Sequence, residues 1–135
     1  MTCVYLSAED VLAIAEYAVD DQDIVVRDVG LLESAVHRPS AAMFGEEAYP
    51  GLLDKAAALL QSLTINHPFF DGNKRTAWLS CVTFLAMNGV QLRPDIDAAE
   101  RLVIDVATGR TDEVKAIAQE LRALLPPEGP EGPEV

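Results

Sequence analysis

Between residues 73 and 88 the chain is apolar nearly all the way round a helical wheel, through Trp78, Leu79, Cys81, Val82, Phe84, Leu85 and Met87. A helix without a polar stripe cannot lie on a surface and has to be enclosed by other elements. In a chain of 135 residues that implies one domain with a bundle assembled around a central buried helix. Asn88-Gly89 supplies its C-terminal stop.

The enclosing helices are legible from their periods. Leu52, Leu53, Ala56, Leu59, Leu60 and Leu63 form one stripe of a 3.6-residue repeat, which predicts a helix ending near Asn66. Ser7 and Asp10 have the spacing of a capping box and open a first helix with Val11, Leu12, Ala15 and Ala18 inward. The polar run Asp20-Asp21-Gln22-Asp23 ends it. A short second helix spans about Asp28 to His37, carries Leu31, Leu32 and Ala35, and is stopped by Pro39. Asp97 and Glu100 repeat the capping-box spacing before Leu102, Val103 and Val106, and Gly109 closes that helix. Thr111 is expected to cap a last helix whose inner stripe is Val114, Ile117, Ala118, Leu121, Leu124 and Leu125. Residues 39–50 keep no steady period and read as a loop or a small hairpin. The expected fold is all-α: a single bundle of about six helices over residues 1–125 with a small flap loop. Residues 126–135 are almost entirely Pro, Gly and Glu, too poor in apolar groups to order themselves, and are expected to be a disordered tail.

Charge and composition remove several function classes. The formal net charge is −12, which repels a phosphate backbone and argues against direct nucleic-acid binding. Cys3 and Cys81 lie far apart and offer neither a disulfide framework nor a zinc-ligand spacing, so both are expected as free thiols. No basic stretch followed by an apolar run opens the chain, and no apolar run approaches the ~20 residues of a membrane span, so no membrane partner is expected and the cytoplasm is the expected location.

One segment departs from helical bookkeeping. His67-Pro68-Phe69-Phe70-Asp71-Gly72-Asn73-Lys74-Arg75 concentrates an imidazole, a carboxylate, an amide and two cations between two helices. The start of the buried helix offers free backbone amides and the positive end of a helix dipole, both suited to an anion such as phosphate. Gly72 lets the backbone approach closely or take positive φ and shape an amide nest. Lys74 and Arg75 oppose that dipole, a conflict that a bound phosphate would resolve. Asp71 is a hard oxygen ligand beside the nest, as Mg²⁺ among nucleotide phosphates requires. His67 suits proton removal near neutral pH, and Pro68 is expected to hold it extended. Phe69 is the expected plug anchoring the loop in the core. Taken singly, each feature is more often plain structure: a polar His, an Asp-Gly turn, a solvated helix start. On the residues alone the two readings stand level. His37 reads as a helix-end residue, and Trp78 and Phe84 as core.

The nine residues from His67 to Arg75 resemble the signature of the Fic/Doc family: His-x-Phe, an acidic residue, Gly or Ala, Asn, Gly or Lys, then Arg. The segment Gly30-Leu31-Leu32-Glu33-Ser34-Ala35-Val36 through Pro39 also resembles Doc-like toxins, and the resemblance covers nearly all of the chain before the tail. It implies the Fic/Doc fold. It implies His67 as general base on a target hydroxyl and Asp71 as Mg²⁺ ligand. Gly72, Asn73, Lys74 and Arg75 would bind the phosphates of ATP, and the loop near residues 41–48 would be a flap docking an extended segment of the target. AMP-transferring members carry Gly where this chain has Lys74 and a second Arg where it has Trp78. The Doc branch has the Lys. There the nucleotide is understood to bind reversed and the γ-phosphoryl group is transferred to a threonine of translation elongation factor Tu, which stops translation. Gly72 stands where Doc usually has Ala and is shared with the AMP-transferring branch. The resemblance therefore implies a Doc-like toxin kinase, with protein AMP transfer as the alternative and a non-catalytic nucleotide- or partner-binding protein as the third reading. No inhibitory Ser/Thr-x-x-x-Glu-Gly/Asn run is present. The Doc pattern implies inhibition in trans, by an antitoxin whose helical segment lies in a groove.

Overall fold

The computed structural model describes residues 2–19, 24–93 and 95–126. Its elements, in chain order, are α1 (Ala8–Ala18), α2 (Val29–His37), a 3-10 turn (Arg38–Ser40), β1 (Ala42–Met43), β2 (Glu46–Glu47), α3 (Leu52–Asn66), α4 (Asn73–Met87), α5 (Ile96–Ala107) and α6 (Val114–Arg122). The described residues thus form six helices and one two-stranded hairpin, as the periods predict. The acidic run at residues 20–23 and the tail from residue 127 onward lie outside the described residues.

Helix starts follow local chemistry. The Ser7–Asp10 capping box closes in both directions, with Asp10 N–H donating to Ser7 Oγ at 3.1 Å and Ser7 N–H to Asp10 Oδ2 at 2.9 Å. Asp28 caps α2 by accepting from Leu31 N–H at 2.9 Å. Two expected caps are replaced. The acceptor for α5 is Asp95, which takes Ala98 N–H at 2.6 Å, and Asp97 lies inside the first turn, where an acid favours the helix dipole. Helix α6 begins after Glu113 with no side-chain cap, so Thr111 is not its capping residue. It also ends at Arg122, leaving Leu124 and Leu125 beyond it.

The centre is shared by two helices. Helix α3 packs against α2, α4, α5 and α6, and Leu59, Leu60 and Leu63 are at most 1% exposed. Burial of each contributes roughly 1.5–3 kcal/mol. Helix α4, the apolar one, packs against α1, α3 and α5. It buries Ala77, Cys81, Phe84 and Leu85 and leaves Trp78 half-buried and Met87 exposed. Both helices meet at the loop between them, so residues 67–72 are clamped at each end by the core.

Candidate active site

The loop begins with a conformation the sequence did not predict. His67 caps α3 in the left-handed region, with φ 51° and ψ 56°, rather than in the extended conformation expected before Pro68. Three contacts impose it. Arg27 Nε donates to His67 O at 2.7 Å and Arg27 Nη2 to Asn66 O at 2.8 Å, so a cation closes the negative end of α3. The His67 ring turns back on its own helix, with Nδ1 3.0 Å from Thr64 O.

That last bond decides the tautomer. A carbonyl oxygen only accepts, so Nδ1 carries the proton and, in the neutral ring, Nε2 keeps its lone pair. The imidazole is thereby held with its basic nitrogen turned away from α3.

The next residues are pinned by backbone pairing. Phe69 bridges Val26 antiparallel, Arg27 N–H donates to Pro68 O at 2.7 Å and Phe70 N–H to Val25 O at 3.2 Å. Phe69 is 1% exposed and sits in the core. Asn73 completes the brace. Its Oδ1 accepts from Phe69 N–H at 3.0 Å and its Nδ2 donates to Phe69 O at 2.7 Å. The Asn73 carboxamide therefore holds the loop, and what Asn73 offers an anion is its backbone amide at the start of α4.

Gly72 precedes α4 with φ 78°, and a Cβ there would lie 2.7 Å from Val19 Cγ1. Both the left-handed backbone and the close approach of α1's end require glycine in this packing. Among the described residues no side chain caps α4 and no acid occupies its first turn. Its leading amides and dipole end stay available to a ligand. Arg75 reaches back through Nη1 to Ala18 O at 2.6 Å, which ties α1 to the site; among the described residues its other nitrogens make no hydrogen bond.

These features open onto one cleft of about 460 Å³ lined by Val19, His67, Phe70, Asp71, Gly72, Asn73, Lys74 and Arg75. Every candidate residue from the sequence lines it except Phe69, which lies beneath. Sequence reasoning missed Arg27 and Val19, which fall in stretches without period or motif. Trp78 is half-buried, packed on the core with one side on a neighbouring groove shared with Lys74, Arg75 and α5. A base, a carboxylate, two cations and an uncapped helix start in one cleft can activate a hydroxyl beside a bound polyphosphate.

Residues 5–85 match the Fic/DOC family. The chain belongs to that family. Among its relatives, this Fic/Doc chain is 54% identical over 119 residues to a Mycolicibacterium smegmatis protein named Toxin Doc, covering 87% of the chain and 90% of the relative. It is 36% identical over 97 residues to a protein of Escherichia phage P1 named Protein kinase doc, covering 72% of the chain and 75% of that relative.

For the Mg²⁺ that the family implies, Asp71 is an exposed carboxylate in the cleft, and no group of three or more His, Cys, Asp or Glu gathers anywhere among the described residues. A single carboxylate is the protein donor set that suits Mg²⁺ held mainly by substrate phosphates and water, so the residues fit. No helix among the described residues is long and apolar enough to cross a membrane.

Proposed function

We propose that this Fic/Doc chain is a Doc-type toxin that transfers the γ-phosphoryl group of ATP to a threonine hydroxyl of elongation factor Tu and so stops translation. The observation that carries the reading is the His67 ring. Its Nδ1 is committed to Thr64 O, so Nε2 is the base, in the cleft that also holds the uncapped start of α4, Lys74 and Arg75.

The hydroxyl gives its proton to His67 Nε2 as its oxygen attacks the γ-phosphorus, and the bond from that phosphorus to the bridging oxygen breaks, releasing ADP. Such transfer passes through a loose transition state in which positioning and charge neutralisation do most of the work. Lys74, the remaining donors of Arg75 and the first-turn amides of α4 neutralise the phosphate oxygens. Asp71 would hold Mg²⁺, which would supply further charge neutralisation. The side chains of Phe69 and Asn73 keep the loop in register without touching substrate.

Lys74 favours this reading over AMP transfer, because its side chain narrows the nest and adds a charge where the other branch has glycine. The name Toxin Doc borne by the 54% identical relative supports the toxin reading, and with it an antitoxin acting in trans through a helical segment. The name Protein kinase doc of the phage relative supports phosphoryl transfer. The cytoplasm, where elongation factor Tu works, is the location this function requires.

The test is label transfer to purified elongation factor Tu from ATP labelled at the γ- or the α-phosphate, with His67→Ala alongside. Label from the γ position alone, lost in the variant, is expected. Label from the α position refutes the kinase reading in favour of AMP transfer. Binding of ATP and of the target without any label transfer would point to a non-catalytic binding protein.

A further inference from the structure

The flap is a hairpin too small to hold its own position. Ala42 pairs with Glu47 and Met43 with Glu46, and residues 41–48 are all exposed. A lone two-stranded hairpin is marginally stable at best. Its tip carries Phe44, 99% exposed at φ 53°, and Met43, 70% exposed. The hairpin touches the bundle at its base, and two cations make that contact.

Lys55, near the start of α3, is buried at 3% exposure although it is a lysine. Its Nζ donates to Glu47 Oε1 at 2.9 Å and to Tyr49 O at 2.5 Å, and lies 5.8 Å from the centre of the Tyr5 ring. Arg38 donates through Nη1 to Gln61 Oε1 at 2.7 Å and Ser62 Oγ at 3.0 Å on α3, and through Nε to Tyr49 OH at 3.1 Å. Tyr49 is therefore gripped at its carbonyl by one cation and at its hydroxyl by the other.

Glu47 itself is half-exposed, so the flap could swing outward without burying anything new. What resists is Lys55, whose ammonium would lose the Glu47 carboxylate and the Tyr49 carbonyl that it holds at 3% exposure. The latch also has a fixed relation to the chemistry. Lys55 stands near one end of α3 and His67 caps the other, roughly 18 Å away at 1.5 Å per residue. One helix thus sets the distance between flap and base.

We infer that Lys55 is a positioning residue: through Glu47 and Tyr49 it holds the flap in register with His67, and so sets affinity for the protein target rather than the rate of phosphoryl transfer. The inference rests on the proposed function and on the docking role that the Fic/Doc resemblance implies for the loop near residues 41–48.

The test compares wild type with Lys55→Met, Lys55→Arg and Glu47→Gln. Two quantities are read: steady-state transfer from ATP to elongation factor Tu, and hydrogen exchange of the flap amides, among them Ala48 N–H, which donates to Ala41 O at 2.8 Å. Lys55→Met and Glu47→Gln are expected to raise KM for elongation factor Tu on the order of tenfold, the factor that follows from losing about 1.4 kcal/mol of pre-organisation. The kcat and the KM for ATP should stay within about twofold and flap exchange should quicken, while Lys55→Arg keeps the charge and stays near wild type. Glu47→Gln changes a half-exposed side chain and so keeps the test alive if Lys55→Met does not fold. An unchanged KM for the target, a parallel loss of kcat and ATP affinity, or a Lys55→Arg as poor as Lys55→Met would overturn the inference. If wild type passes no label to elongation factor Tu, the proposed function fails instead, and exchange alone decides: quickened flap exchange in Glu47→Gln supports the latch, and unchanged exchange refutes it.

Discussion

Replacing Asn73 by alanine tests whether its side chain braces the loop or binds phosphate. Asn73 is 6% exposed, and its two bonds to Phe69 are buried. The bridge to Val26 runs its hydrogen bonds through Pro68 and Phe70, so the N–H and C=O of Phe69 itself face Asn73. Truncation orphans both, at a cost of about 1–3 kcal/mol for each buried group. Water entering from the adjacent cleft recovers some of this, which centres the expectation on about 3 kcal/mol. For a domain of this size that is a fall in Tm of roughly 10–15 °C. With a urea m-value of about 1.5 kcal/mol/M, it is a shift of about 2 M in the unfolding midpoint. Asn73→Asp keeps an acceptor for Phe69 N–H but turns a carboxylate on Phe69 O, so it should lose at least as much. Urea titration followed by circular dichroism, together with ATP binding by calorimetry at a temperature where both variants stay folded, separates the two roles. An Asn73→Ala protein with an unchanged midpoint and weakened ATP binding would refute the brace and make the carboxamide a phosphate ligand.

Three further outcomes follow from the same geometry. Gly72→Ala should cost about 1–2 kcal/mol for the left-handed backbone and about 1 kcal/mol more for crowding Val19; Val19→Ala in the same chain should remove the second part, and equal losses in urea with and without it would sink the crowding account. Arg27→Ala, which frees the carbonyls of Asn66 and His67, should lower stability by about 1–2 kcal/mol after allowance for its exposure and reduce kcat for label transfer more than ATP affinity; unchanged kcat would show that Arg27 does not hold His67 in place. Burial pushes the Cys81 thiol up to about 12. Because the folded value lies above the unfolded one of about 8.5, this contribution is complete below that pH and declines above it by about 1.4 kcal/mol per unit. Stability measured from pH 8 to 11 should therefore fall more steeply in wild type than in Cys81→Ala, and parallel curves would contradict the burial account.

Much of this molecule is local in origin. The 3.6-residue stripes of α3 and α6, the Ser7–Asp10 box and the apolar α4 are patterns within one segment, and the helices form where those patterns lie. The residues lining the cleft were legible for the same reason: His67, Asp71, Gly72, Asn73, Lys74 and Arg75 are consecutive enough that any fold joining α3 to α4 brings them together. Their roles were less legible. The Asn73 side chain reads as a phosphate ligand until Phe69 is seen to occupy it, and Pro68 suggests an extended His67 until Arg27, far upstream, closes the end of α3.

Sequence alone therefore determined the helical class, the position of the chemistry-bearing loop and its kinship with the Fic/Doc signature, because each depends on neighbours in the chain. Only the tertiary structure decided that Arg27 closes the end of α3, that α1's end closes over Gly72, and that Arg75 ties α1 to the cleft. Those depend on contacts between segments up to 57 residues apart in the case of Arg75 and Ala18. A hydrogen bond or a buried charge across such a distance leaves no period or spacing in the sequence from which it can be read.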